Sequence, residues 1–369
     1  MRDQHRMKIQ WLGDIALTAQ YMDPCNHLAL EENVAEIEKV LEPADLRIAN
    51  WEAPLRGDQD LNPLKRPVLH TNEDTARNAL SLKLDIALLA NNHVFDCLES
   101  GFDRTASFLQ SAGIAVLGAG TSENQATQPL LIDVAATPVA LLAYVDETTH
   151  PRAPENRPMY LNWLEPERVL DEVAHWAARK RTVLVHFHCG SDFVSLPSPE
   201  HRRLARRAID SGASVVVCYH PHRIQGYERV GDGFVLYGLG NFLVGSIYPW
   251  PRFTQPTTVL TCEIQDRTVV DLRLKHLLLR RGKLTVDNKG RGARMYRAFN
   301  PQIAAPEDEY VRLWTRASAL EHLLIRPWHF IRRHRNPLKI VAALEKRHAH
   351  EAWQVLKSIV KNLSGPHKG

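Results

Sequence analysis

Four histidines stand in two short groups, "HFHCG" at 186–190 and "YHPH" at 219–222, and each group follows a run of β-branched and aliphatic residues. Other apolar runs also end in polar residues. Carboxylate, amide and imidazole groups are the ligands expected around Zn, Mn or Fe where thiolates are absent. The residue types therefore predict a metal centre, whose candidate ligands are Asp14, Glu52, Asn92, His188, His220 and His222.

Each candidate ligand also has an ordinary structural explanation. Asp14 follows a glycine and suits an Asx-type turn, Asn92 belongs to an Asn-Asn turn pair, and a single histidine is commonly a hydrogen-bonded core or surface residue. Six such groups at strand ends are harder to explain in this way. A dinuclear centre would use them all, with one carboxylate shared between ions about 3.5–4 Å apart. At i, i+2 in a strand, His220 and His222 would point to the same side.

The elements that would position these residues follow an α/β pattern. Apolar runs alternate with helical periodicity, which indicates a largely covered sheet. Polar residues just beyond the carboxyl ends of such strands are held together at one edge of the sheet. The predicted strands are 8–12, 46–50, 86–90, 115–117, 139–145, 183–188 and 215–219, and the predicted helices include 28–41, 75–82, 101–111, 166–179 and 198–211.

The pattern changes after Gly233. "GFVLYGLGNFLV", "TTVLTCEI" and "TVVDLRLKHLLLRRGKLTV" read as consecutive strands and predict an antiparallel meander. Two helices, 309–325 and 338–362, are predicted beyond it. The Gly-, Arg- and Pro-containing stretch 287–306 is interpreted as a linker. The expected organisation is a domain over 1–286, the linker, and a basic amphipathic helical segment over 307–369.

Composition indicates a folded protein with an uneven charge. Of the 369 residues 44% are hydrophobic, and residues 301–369 hold 12 of the 46 Lys and Arg but only 6 of the 42 Asp and Glu. The five cysteines are scattered without C-x-x-C spacing, so we predict neither a disulfide framework nor a thiolate zinc site. The polar first residues and the absence of about 20 consecutive apolar residues make a cytoplasmic location the expectation.

Seven sequence blocks carry a family resemblance. "GDIALT", "NWEAPL", "LANNHVFDC", "GAG", "HCGSDF", "IDSGASVVVCYHPHRIQGYE" and "LYGLGNFL" follow one another over about residues 8–245. In order and spacing they resemble the CapA family of capsule biosynthesis proteins, also called poly-γ-glutamate synthesis proteins. The resemblance implies a calcineurin-like metallophosphoesterase fold, which is a four-layer α/β/β/α sandwich with mixed sheets. To this we add the C-terminal helical segment.

The resemblance also implies roles for individual residues. Asp14 and His222 would bind a first divalent ion, Glu52 would bridge two ions, and the second ion would be held by Asn92, His188 and His220. His93 resembles the histidine that stabilises or protonates the leaving oxygen. The ions would be Mn, Zn or Fe, and the reaction metal-dependent hydrolysis of a phosphate ester or a polymer linkage. From the sequence, Asn241 and Arg223 are further candidates for contact with an anionic substrate.

This chain departs from the family pattern at several positions. Ala16 stands where metallophosphoesterases have a histidine, and Cys189 and Asp192 stand where the family usually shows Trp and Glu. Either His5 or a water would then complete the first site, or that site would bind its ion weakly. His186 is additional to the pattern, and we expect it to orient His188 by a hydrogen bond. The loss at Ala16 supports an alternative function, a non-catalytic assembly or anchoring factor of a polymer synthase complex.

The C-terminal segment has two interpretations. Its helices would pack on the body with a basic outer face, or residues 309–362 would contact an anionic membrane as a peripheral anchor, where each Lys or Arg adds about 1 kcal/mol. The basic clusters offer neither an interleaved aromatic platform nor a nucleic-acid motif, so no nucleic-acid partner is expected. The expected partners are a small-molecule or polymer substrate and a polymer synthase complex.

Overall fold

A computed structural model describes residues 6–22, 27–155, 157–245, 255–280 and 282–325 of the chain. The predicted helix at 338–362 and His5 lie outside these residues, as does most of the proposed membrane segment. The strands are β1 (Met7–Ala16), β2 (Leu46–Trp51), β3 (Ile86–Leu88), β4 (Ala115–Leu117), β5 (Ala119–Gly120), β6 (Leu130–Val134), β7 (Thr137–Val145), β8 (Tyr160–Leu161), β9 (Thr182–His188), β10 (Ala213–Tyr219), β11 (Tyr227–Val230), β12 (Gly233–Leu236), β13 (Asn241–Val244), β14 (Gln255–Gln265), β15 (Thr268–Arg280) and β16 (Lys283–Val286).

The helices alternate with strands in the first two-thirds of the chain. They are α1 (Ala19–Met22), α2 (His27–Glu38), α3 (Glu73–Arg77), α4 (Leu98–Ser111), α5 (Glu123–Thr127), α6 (Pro166–Ala178), α7 (Pro199–Asp210), α8 (Arg291–Ile303) and α9 (Glu307–Ala319), with short 3-10 turns at Asn78–Leu82 and Glu147–Thr149 and a π turn at Leu320–Ile325. Most predicted elements agree with these within a few residues, because their apolar periodicity is strong.

Two mixed sheets form the centre of the molecule. The first has the order β16-β15-β14-β1-β2-β3-β4, with β13 also beside β1, and the second has the order β11-β12-β10-β9-β7-β6. Strands β1 and β2 are parallel, as are β7, β9 and β10, whereas β14 is antiparallel to β1. The central strands β9 and β10 are buried along their whole length, as expected for near-continuous apolar runs.

The sheets pack face to face, with helices outside. Alternate residues of β10 divide between two cores: Val215 and Val217 join the core between the sheets, while Val216 and Cys218 pack with residues of α6, α7 and α9. On the first sheet, the indole of Trp11 donates across to the second sheet, and the neighbouring Gln10 faces the opposite, helix-covered side. The predicted four-layer α/β/β/α sandwich with mixed sheets is confirmed.

The predicted meander is only partly correct. Strands β14, β15 and β16 are consecutive and antiparallel, as predicted. The segment "GFVLYGLGNFLV" instead divides between the sheets, because β12 is parallel to β10 in the second sheet and β13 is parallel to β1 in the first. Gly238 and Gly240 lie in the connection, where backbone segments approach closely. This crossing brings Asn241 beside Asp14.

The described C-terminal residues pack on the rest of the molecule, α8 on strands and α9 on α7. The stretch interpreted as a linker forms α8 over most of its length, and buried Tyr296 donates to Thr258 Oγ1 at 3.1 Å. In α9, Tyr310 donates to the Pro197 carbonyl at 2.7 Å and its ring lies 4.0 Å from the Arg202 guanidinium carbon. A domain boundary near residue 286 stays a prediction. In the part of the chain that the structure describes, no helix is sufficiently long and apolar to span a bilayer.

Candidate metal centre

The predicted site residues gather at one edge, where the carboxyl ends of parallel strands from both sheets meet. Asp14 pairs in register with Asn50, and His188 with Tyr219, so the strand ends are level within each sheet. The two sheets also meet at this edge, where Asn50 Nδ2 of the first sheet lies 3.4 Å from His188 Nδ1 of the second. The site thus lies where parallel strands of an α/β protein are expected to build one.

Two buried carboxylates and one imidazole form the first ligand group. Oxygen atoms of Asp14 and Glu52 and a ring nitrogen of His222 all lie within 4.8 Å of one another. Both acids are almost completely buried, at 2% and 1% exposure. The amide of Asn50 donates to Asp14 Oδ1 at 2.8 Å and to Glu52 Oε1 at 3.2 Å, which holds the carboxylates side by side.

The charges of this group are not balanced by a Lys or Arg hydrogen bond or ion pair among the described residues. Burial, and then the neighbouring Asp14 carboxylate, raise the pKa of Glu52 to about 8. Burial alone lowers the pKa of His222, but the carboxylates of Glu52 and Asp14 outweigh it and raise that pKa to about 10. Both shifts mean that the cluster holds protons at neutral pH to limit its negative charge. A divalent cation would provide the same compensation.

A second ligand group shares His222 with the first. It comprises Asp192, His220 and His222, again with ligand atoms within 4.8 Å. Nε2 of His220 lies 3.0 Å from Asp192 Oδ1, whereas its buried Nδ1 has no hydrogen-bond partner among the described residues. A buried ring nitrogen without a partner is costly unless it binds something. Asp192 was identified in the sequence only as a departure from the family pattern, and the structure brings it into the ligand set.

The remaining predicted ligands, His188 and Asn92, contact each other beside Glu52. His188 Nε2 lies 3.1 Å from Asn92 Oδ1 and 3.8 Å from Glu52 Oε1, and its ring centre is 4.9 Å from that of His220. Burial, and then the nearby His220, hold the pKa of His188 well below its usual value. The ring is therefore neutral, which is the form that binds metals.

His220 and His222 do not reach the site as neighbours in a strand. Strand β10 ends at Tyr219, and both histidines lie in bends with positive φ, 92° and 56°. Phe193, whose ring stacks on His222, also has positive φ, 65°. The i, i+2 strand argument was thus wrong, although both imidazoles reach the centre. Non-glycine residues in this conformation are strained and concentrate at functional sites.

His93 forms a hydrogen-bonded pair with Asp96. His93 Nδ1 lies 2.7 Å from Asp96 Oδ2, and its backbone N–H donates to Asn91 Oδ1 at 3.0 Å. Burial lowers the pKa of His93, although Asp96 acts in the opposite direction. The neutral ring then donates its Nδ1 proton to Asp96, which leaves Nε2 able to exchange a proton. Asp96 was not a predicted site residue, but its i+3 spacing from His93 in "NNHVFD" was the available signal.

Asn241 contacts a candidate ligand and so has a defined position. Its Oδ1 lies 2.9 Å from Nδ1 of His222. Strand β13 reaches this position only because Gly13 and Gly240 lack side chains: a Cβ on Gly13 would come within 2.2 Å of the Gly240 carbonyl oxygen. Gly240 also has φ of +82°, which favours glycine. The glycines therefore allow β13 to pack closely, so that Asn241 of this strand contacts His222.

Arg223 contacts protein groups rather than the candidate ligands. Its Nη1 donates to the Phe193 carbonyl at 2.8 Å and lies 3.7 Å from Glu321 Oε2. A role in substrate binding stays a prediction for this residue and for Asn241.

His186 is part of the core. Its Nε2 accepts from the Trp11 indole at 2.9 Å, and its Nδ1 donates to the Leu142 carbonyl at 3.1 Å. Burial lowers its pKa to about 4, so the ring is neutral. The expectation that His186 orients His188 was wrong, because both of its ring nitrogens are used in linking the sheets.

The chain is similar to known capsule synthesis proteins. A model of the family described as "Bacterial capsule synthesis protein PGA_cap" matches residues 8–246. The chain belongs to this family. It is 24% identical over 289 residues to "Capsule biosynthesis protein CapA" of Bacillus anthracis, covering 76% of this chain and 69% of that protein. It is 23% identical over 241 residues to "PGA biosynthesis protein CapA" of Bacillus subtilis, covering 64% of this chain and 63% of that protein.

Further similarities extend to another species and to solved structures. A "Probable polyglutamine synthesis accessory protein" of Mycobacterium tuberculosis is 27% identical over 241 residues, covering 62% of this chain and 61% of that protein. A solved 5'-nucleotidase precursor from Thermus thermophilus is similar with a TM-score of 0.47 and 13% identity, covering 86% of this chain and 59% of that chain. A similarity of this size carries no argument about activity.

Proposed function

We propose that this member of the capsule synthesis family is a metal-dependent hydrolase that acts in the biosynthesis of a capsule or a poly-glutamate-type exopolymer. One observation carries the proposal: two ligand groups, Asp14 with Glu52 and His222, and Asp192 with His220 and the same His222, meet in one cluster. Two adjacent ligand groups that have a residue in common suit a pair of metal ions. The names of the relatives support the biological setting.

The residues fit divalent cations in both charge and donor type. A divalent cation would relieve the repulsion between the crowded buried carboxylates, and an N/O donor set suits Mn, Zn or Fe. Asp14, Glu52 and His222 would hold one ion. His220 and Asp192, with His188 and Asn92 beside Glu52, would hold the other. Bound cations would supply Lewis-acid stabilisation of the charge that develops on a phosphoryl or acyl oxygen.

The protein's own proton transfer would be the task of His93. Asp96 fixes the ring orientation through Nδ1 and favours the protonated ring electrostatically. A ring held in this way can take up a proton from water at Nε2 and deliver it to a leaving oxygen, and such general acid–base catalysis typically contributes about 10²–10⁴-fold to the rate. The proposed substrates are phosphate esters or the linkages of an anionic polymer.

A non-catalytic assembly factor is the second candidate, and Ala16 favours it. This residue is buried in a small apolar cluster with Ala53 and Leu69, at the position where the resemblance implies an imidazole ligand. A chain that retains one cation for structural purposes would need no such ligand. In this case the protein would support a polymer synthase complex without turnover.

Metal analysis combined with turnover distinguishes the two candidates. We expect elemental analysis of the purified protein, reconstituted with Mn or Zn, to give about two ions per chain and chromogenic phosphodiesters to be hydrolysed. His93→Asn should lower turnover by about 10²–10⁴-fold while the metal content is unchanged. Asp96→Asn should lower turnover less, and the exposed Asp103→Asn serves as the control. Metal bound without turnover would favour the assembly factor, and absence of metal binding would contradict the proposal.

A further inference from the structure

A chain of contacts joins the metal cluster to the residues that follow α9. It begins at His222, which belongs to both ligand groups. The ring of Phe193 stacks on His222, with centres 5.3 Å apart and planes inclined by 24°. Nδ1 of His222 lies 2.9 Å from Asn241 Oδ1 and 3.4 Å from Asp14 Oδ2, and the ring centre of His220 is 5.7 Å from that of His222. Phe193 therefore packs against one face of the His222 ring and restricts the position of that ring.

Phe193 is itself held in a strained conformation. Its φ of 65° is unfavourable for an aromatic residue, so surrounding contacts must maintain it. Its N–H donates to the Pro221 carbonyl at 2.9 Å, and its carbonyl accepts from Arg223 at 2.8 Å. Both contacts come from the "HPHR" sequence that also contains His222. The loop of Phe193 and the loop of His222 therefore position each other.

Arg223 links this pair of loops to the C-terminal residues. Its Nη1 lies 3.7 Å from Oε2 of Glu321, in the π turn Leu320–Ile325, and Glu321 is only 5% exposed. A buried carboxylate beside a largely buried guanidinium restricts the position of both groups. Glu321 also lies outside residues 8–246, which the family model matches.

We infer that Glu321 and Arg223 are positioning residues of the metal centre, acting through Phe193 on the shared ligand His222. The inference rests on the proposed binding of metal at this cluster. It gives the C-terminal residues a function within the site, in addition to packing on the body. Groups that orient metal ligands from behind typically contribute about 10–100-fold to metal affinity.

The test is Co²⁺ binding to the full-length protein, followed by calorimetry and by the visible absorption of the bound ion. We expect Arg223→Met and Glu321→Gln each to lower the affinity by about tenfold or more and to change the absorption spectrum, which reports ligand geometry. Arg223→Lys keeps a charge and a donor and should recover part of the affinity and the spectrum. A purely structural role would lower thermal stability and leave the spectrum unchanged.

The chain offers a matched control in another Arg–Glu pair. Arg207 and Glu167 are 3.0 Å apart on α7 and α6 and are exposed, so Arg207→Met and Glu167→Gln should leave both readouts unchanged. If wild type binds Co²⁺, Asp14→Ala abolishes binding, and the Arg223 and Glu321 variants match wild type, the inference is overturned while the proposed function stands. If wild type binds none of Co²⁺, Mn²⁺ and Zn²⁺, the proposed function fails and the inference with it.

Discussion

Two clusters of buried polar side chains on the first sheet differ in how their charges are compensated. On the helix-covered face, the Arg47 guanidinium donates to Gln10 Oε1 at 3.0 and 3.1 Å and to the carbonyls of Leu82 and Glu42, each at 2.8 Å. At the carboxyl edge, Asp14 and Glu52 face each other, and their repulsion contributes to the raised pKa of Glu52.

The difference separates a structural cluster from a functional one. Each side-chain nitrogen of Arg47 donates to an oxygen acceptor, which is what stability requires of a buried cation. Around Glu52 the like charges oppose folding, and a sequence tolerates such an arrangement where binding or catalysis needs it. Changes in the Arg47 cluster should therefore alter stability without affecting metal binding. Changes in the Glu52 cluster should alter metal binding most.

Glu52→Gln should have the largest effect on metal binding. Removal of the central carboxylate should lower Mn²⁺ or Zn²⁺ affinity at least about 100-fold, since even outer-shell losses reach that range. At pH 9, above the raised pKa of about 8, the metal-free variant should also be more stable than metal-free wild type, because the repulsion by Asp14 disappears. Calorimetric titration and thermal melting measure the two effects. Unchanged affinity would show that Glu52 is not a ligand.

Arg47→Met should give the opposite pattern. The alkyl chain remains, but Gln10 and three carbonyls lose a charged donor, and the free energy of unfolding should fall by about 2–3 kcal/mol. Urea unfolding measures this loss, and elemental analysis should show unchanged metal content. A loss of metal in a folded Arg47→Met protein would mean that the two clusters are not independent.

Metal affinity should increase with pH. In the metal-free protein the pKa of Glu52 is about 8 and that of His222 about 10, so protons must leave before a cation binds. Each released proton gives about a tenfold gain in affinity per pH unit below these values. Calorimetry in buffers with different ionisation heats counts the protons. For the metal-free protein, the raised pKa of Glu52 means that stability falls as pH rises from 4.5 towards 8.

His186→Phe should have the smallest effect. The lost hydrogen bonds to Trp11 and Leu142 should reduce stability by about 1–2 kcal/mol, and metal content should stay unchanged. His188→Phe, two residues along the same strand, is the matched variant and should lower metal affinity. Equal metal loss in both variants would argue that His186 acts on the centre after all.

Local structure was predictable because it depends on local patterns. The apolar runs that became β9 and β10 and the periodic segments that became α6 and α7 were predicted within two residues. The stretch 287–306 shows the limit of this approach. Its Gly, Arg and Pro content suggested a linker, but burial of Tyr296 against Thr258 stabilises a helix there. Tertiary burial outweighs weak local propensity.

The sequence by itself determined which chemical groups end the parallel strands, because residue type and apolar periodicity are local properties. Only the tertiary structure decided which of them meet. His186 and His188 are on the same face of β9, yet one lies deeper between the sheets and the other at their edge. Asp192 and Glu321 likewise acquired their proposed roles from contacts between distant segments. Depth within a sandwich and the packing of separate loops depend on how the sheets are arranged in space, and sequence spacing does not record that arrangement.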